Sequence, residues 1–94
     1  MTVVVTRNVS DRIRGFLASS MLEIAPGVYT ASRLNAAVRD RIWTTISDWF
    51  LYGVNESIIM LWDDPTAIGG QGLRVLGLPP VELVDLDGLI VCHR

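Results

Sequence analysis

Lysine is absent from this chain of 94 residues; all eight of its basic residues are arginine. Cysteine occurs once, at Cys92. That excludes an intramolecular disulfide and leaves a cysteine-built metal site without enough ligands. The one histidine, His93, has no Ser, Cys or acid at a spacing that would build a nucleophilic constellation around it. No apolar run approaches the roughly 20 residues needed to span a bilayer. No segment combines a charged start, an apolar middle and a small-residue cleavage site. The plain expectation is a cytoplasmic protein with no membrane partner. Net charge is small as well, −2 at pH 7. Nucleic-acid binding driven by bulk charge is thereby excluded, but a local basic patch is not. Arginine suits such a patch, because its planar fork contacts phosphate through two parallel hydrogen bonds. Internal repeats and low-complexity stretches are also lacking.

Half of the residues are hydrophobic, enough to build a core. The length allows one domain, residues 1–94, with no room for a second core; a subunit partner would add burial. Val3 to Thr6 is continuously apolar and β-branched and reads as a buried strand. Ser10 or Asp11 caps a helix whose inward stripe is Ile13, Phe16, Leu17 and Met21. Gly15 weakens that helix, and its expected use is close approach of a neighbour or of a ligand backbone. Glu23 to Tyr29 reads as two short strand pieces around the Pro26-Gly27 bend. Ser32 is read as the cap of a longer helix running to about Tyr52, striped by Leu34, Val38, Ile42, Ile46 and Trp49 and closed by Gly53. Ser57 to Trp62 and Leu73 to Leu78 are further strands, the second closed by Pro79-Pro80. Leu89 to Cys92 is a short last strand after the Asp87-Gly88 turn.

This order predicts an α+β, ferredoxin-like sandwich of βαββαβ type: an antiparallel sheet with two helices on one face. The last strand is left over. Residues from about 79 to 94 then form a link and a carboxy-terminal strand, whose natural partner is the sheet edge of another subunit.

The polar end of the first strand, Arg7-Asn8, and the first turn of the next helix, with Arg12 and Arg14, reach one small patch of surface. Such a patch suits a backbone anion, for example a nucleic-acid phosphate. Arg12 and Arg14 are two residues apart, roughly 200° around a helix, so they reach outward around its end rather than lying on one face. Asp63 and Asp64 are adjacent on a strand and point to opposite faces, which favours a turn role over a shared metal. Trp49 and Trp62 are read as packing residues. Trp43 lies off the helix stripe and is available to a partner protein.

The string Val3-Val4-Val5-Thr6-Arg7-Asn8-Val9-Ser10-Asp11-Arg12-Ile13-Arg14-Gly15 resembles the amino terminus of the smaller of the two CRISPR spacer-acquisition proteins, the "Cas two" family, in its type I-E subtype. Glu23-Ile24-Ala25-Pro26-Gly27-Val28-Tyr29, Val38-Arg39-Asp40-Arg41-Ile42-Trp43 and Val84-Asp85-Leu86-Asp87-Gly88-Leu89 resemble later segments of that family, in the same order. The resemblance implies a homodimer in which the carboxy-terminal strand of each subunit adds to the sheet of the other. It implies duplex DNA as a ligand and the CRISPR integrase, the larger adaptation protein, as a partner. It assigns DNA contact to Arg12 and Arg14, beside Arg7 and Asn8. The family is known as Mg²⁺-dependent endonucleases of RNA or double-stranded DNA, with an acid at the end of the first strand as metal ligand. Here that position is Arg7, and a guanidinium cannot ligate a metal. No residue is therefore assigned a catalytic or metal-binding role. The basic pair that relatives carry before Asp-Leu-Asp-Gly is also missing; Pro80-Val81 stand there. The leading expectation is a mainly structural, DNA-holding adaptation subunit that needs no cofactor. The alternative is the Mg²⁺-dependent nuclease.

Overall fold

A computed structural model describes residues 1–52, 55–77, 82–86 and 89–93, with side chains described up to residue 77. The elements are β1 (Thr2–Arg7), α1 (Asp11–Ser20), β2 (Leu22–Ala25), β3 (Val28–Ala31), α2 (Ala36–Trp49), β4 (Ser57–Asp63), β5 (Gln71–Gly77), β6 (Glu82–Leu86) and β7 (Leu89–His93), with a single 3-10 turn at Ile68–Gly70.

Strands β1 to β5 make one sheet in the order β2-β3-β1-β4-β5, and every pairing in it is antiparallel. The first four strands and two helices are the expected ferredoxin-like βαββαβ unit; β5 extends it beyond β4. The central strand is β1, where Val4 faces Tyr29 on β3 and Met60 on β4. Alternation then sorts its valines. Val4 is fully buried, whereas Val5 is 37% exposed. On Val4's side, Ile13 and Leu17 of α1 and Ile42 and Ile46 of α2 pack with Tyr29, Ile58 and Met60 into one core. Both helices thus cover the same face. Val3, Val5, Val28, Ile59, Leu61 and Val75 lie on the other face, which neither helix covers.

Ser10, not Asp11, caps α1; its hydroxyl accepts from the Ile13 amide. The second helix starts later than Ser32 would place it. Asn35 is the cap, with its side-chain oxygen accepting from Val38 N–H at 2.8 Å. Asparagine is among the strongest capping residues, and Leu34 packs on the core before the helix begins. The helix ends at Trp49, not Tyr52, and the backbone turns out at buried Phe50. The closing role read for Gly53 and the strand-stopping role read for Pro79-Pro80 lie outside the described residues. Trp43 is half-buried against the core, so the expectation of a free indole there is corrected: it extends the apolar stripe sideways.

Near the carboxy terminus, β7 pairs antiparallel with β6, from Glu82↔His93 to Leu86↔Leu89, as a separate two-stranded sheet. The sequence reading had β7 but not β6. Within one chain the last strand therefore has a partner of its own, and the unit left outside the main sheet is a hairpin rather than a lone strand.

Candidate nucleic-acid interface

Three local devices build the outlet of β1. The Pro26-Gly27 turn is clamped to the strand end: Thr6 donates to the Gly27 carbonyl through both its amide, at 2.7 Å, and its hydroxyl, at 3.0 Å. Gly27 in turn donates its N–H to the Glu23 carboxylate at 3.1 Å. With φ of +77°, and with a Cβ that would fall 2.9 Å from the Thr6 carbonyl oxygen, this position takes only glycine without distortion. On the other side Asn8, itself in the left-handed region at φ 56°, donates from its amide to the Asn55 carbonyl at 3.2 Å. The strand end is thereby tied to the β2–β3 turn and to the loop before β4. Ser10 then starts α1.

Arg7 is the last residue of β1 and is exposed. Its register partner is Ser57, and alternation puts it on the open face of the sheet with Val3 and Val5. Arg12 and Arg14, both exposed, diverge as their spacing requires. Arg12 lies over Trp49, with its guanidinium carbon 3.8 Å from the ring centre. Arg14 lies 3.8 Å from Asp11, and its charge also acts on Tyr29. Burial and the neighbouring Glu23 carboxylate push the Tyr29 hydroxyl above its ordinary pKa, while Arg14 pulls the other way. Of the four residues expected to contact DNA, Arg7, Arg12 and Arg14 are thus exposed around one strand–helix junction. Asn8 is also exposed, but its amide serves the fold.

Gly15 has nothing within 4 Å of a Cβ built on it. The expected close approach is not made by any part of this chain; space for a ligand backbone remains.

A divalent metal does not fit this junction. Its donors are a guanidinium, an amide engaged with Asn55 and the Asp11 carboxylate beside Arg14. Among the described residues, no three His, Cys, Asp or Glu side chains are grouped to hold a metal. Asp63 and Asp64 do not replace them. Asp63 accepts from the Met1 amino group at 2.9 Å. Asp64 accepts from the Thr66 amide, at 3.0 Å, and hydroxyl, at 2.6 Å. These bonds hold its carboxyl below the usual range and make it a turn residue, as its place before Pro65 predicts. Asp85, Asp87, Cys92 and His93 lie outside the residues whose side chains are described.

The sequence reading missed the Arg12–Trp49 contact, which joins the start of one helix to the end of the other. A partial signal was present: Arg12 and Phe16 are four apart on one helix face, and Phe16 meets Trp49 edge-on at 5.4 Å. Similarly, Trp62 carries Arg39 at 4.3 Å and Arg74 at 5.4 Å from its ring, and Arg74 pairs with Asp40 at 2.7 Å.

Fold and site together define a small ferredoxin-like α+β domain with arginines gathered at the outlet of its first strand. Residues 1–91 match the family model described as CRISPR-associated protein (Cas_Cas2CT1978). The match spans nearly the whole chain, and the protein belongs to this CRISPR-associated family. Among the described residues, no helix is long and apolar enough to cross a membrane.

Proposed function

We propose that this protein is a CRISPR adaptation subunit of type I-E kind. It acts in the cytoplasm as a homodimer that bridges two integrase dimers and holds duplex DNA during spacer acquisition. The observation that carries this reading is the trio of exposed arginines, Arg7, Arg12 and Arg14, around one strand–helix junction in a chain of this family. Such cations contact phosphate oxygens, which position a duplex without reading its sequence. Dimerisation is supported by the sheet face bearing Val3, Val5, Ile59 and Leu61, an apolar surface that neither helix covers. The β6–β7 hairpin is the segment proposed to reach the partner's sheet edge. The role is structural and needs no cofactor; the cutting and joining belong to the integrase.

Arg7 decides against the nuclease alternative. A guanidinium removes one Mg²⁺ ligand per subunit and adds a fixed positive charge that repels the cation, while favouring a bound phosphate. The experiment pairs nuclease assays, with and without EDTA, with spacer integration in the presence of the integrase, on wild type, Arg7→Glu and Arg7→Ala. Wild type is expected to integrate and to cleave neither RNA nor duplex DNA. Cleavage by wild type that EDTA abolishes and Arg7→Ala leaves intact would defeat the structural reading.

A further inference from the structure

The inference concerns how Arg12 is presented, and it rests on the reading of Arg12 as a phosphate contact. Arg12 sits on the first turn of α1 and is exposed. Its guanidinium lies 3.8 Å from the ring centre of Trp49, the last residue of α2. Phe16 meets the same ring edge-on, with centroids 5.4 Å apart and planes at 77°. Phe16 and Trp49 both pack against the hydrophobic core, so the ring is fixed to the body of the domain.

A guanidinium lying on a ring keeps its N–H donors in its own plane, directed away from the aromatic face. Among the described residues Arg12 enters no ion pair, whereas Arg14 stands beside Asp11 and Arg74 beside Asp40. Stacking therefore orders the side chain without consuming its donors. A flexible arginine would lose that rotamer freedom only on binding, at a cost to affinity.

We propose that Trp49 is a positioning residue that holds Arg12 ready for a DNA phosphate, with Phe16 as its buttress. Arg12 makes the contact; Trp49 acts through it.

The test is a double-mutant cycle on the full chain. Binding of a fluorescein-labelled duplex is measured across a salt series, with two unrelated sequences, for wild type, Arg12→Ala, Trp49→Leu, Trp49→Phe and the combinations with Arg12→Ala. Arg12→Ala is expected to weaken binding to both sequences and to lower the log–log salt slope by about 0.9. Trp49→Leu should weaken binding about two- to fivefold in the Arg12 background, and not at all once Arg12 is alanine. Trp49→Phe should retain part of the affinity, because phenylalanine is a weaker cation platform. Should Trp49→Leu not fold, the phenylalanine arm carries the same comparison. An equal loss from the Trp49 variants with and without Arg12 would mean a merely structural tryptophan and would overturn the proposal. So would wild-type affinity in those variants while Arg12→Ala weakens binding. If Arg12→Ala itself changes neither affinity nor slope, the phosphate reading of Arg12 falls, and the positioning role falls with it.

Discussion

Arg12 and Arg14 show how far two identical side chains diverge over one turn of helix. The first lies on an indole, the second beside a carboxylate. Their divergence was legible from spacing, because two positions on a helix rotate by roughly 200°. What each one meets was not, since Trp49 is 37 positions away from Arg12 in sequence and no local pattern encodes a contact between two helix ends. Gly15 sits beside them with open space over its Cα. In the free protein Gly15→Ala should therefore stabilise α1 by about 0.5–1 kcal/mol, read as a raised melting temperature. If a DNA backbone uses that space, the same variant will bind duplex more weakly while melting higher. Higher stability with unchanged affinity would remove Gly15 from the interface.

At the level of elements, hydrophobic periodicity placed both helices and the five strands of the main sheet, because each element buries one face. Boundaries were less legible. Ser32 and Asn35 are both good capping residues three positions apart, and the burial of Leu34 ahead of the helix decides for Asn35. Asn35→Ala should cost about 1 kcal/mol of stability, whereas Ser32→Ala should be within about 0.5 kcal/mol of neutral. Chemical denaturation of the two variants side by side measures the difference. Strand β6 was missed because Glu82-Leu83-Val84-Asp85-Leu86 was read for its likeness to a family segment rather than for its strand pattern. The β4–β5 pairing holds a further constraint. The Trp62 indole lies where a side chain at Gly72 would be, and a Cβ there would come against its ring atoms. Gly72→Ala is thus expected to displace Trp62 and, with it, Arg39; a shift in near-ultraviolet circular dichroism together with lower stability would register this.

For the whole molecule, the uncovered sheet face sets the oligomeric expectation. Val5 and Ile59 are register partners there. Val5→Asp should leave the helix-side core intact and shift the protein from dimer to monomer in analytical ultracentrifugation; a variant that remains dimeric would place the dimer contact elsewhere. The global stability also carries a pH signature. The Tyr29 hydroxyl is harder to ionise in the folded protein than in the unfolded chain, where the phenol titrates near 10.0. Its contribution is fully present below that pH and is lost as pH rises through the folded value. Wild type should lose stability more steeply than Tyr29→Phe above about pH 10, as measured by urea denaturation at successive alkaline pH values.

The central place of β1 also bears on the order of events in folding. Val4 pairs with Tyr29, 25 positions away, and with Met60, 56 positions away. Closing the longer loop costs about 0.7 kcal/mol more by chain entropy alone. The β1–α1–β2–β3 half can therefore assemble before β4 arrives on the other edge of β1. Kinetically, Val28→Ala should slow refolding, while Ile59→Val should chiefly accelerate unfolding. The strand whose outlet carries Arg7 would then be set early against the β2–β3 turn, and its connection to the loop before β4, through Asn8 and Asn55, would close among the last contacts to form.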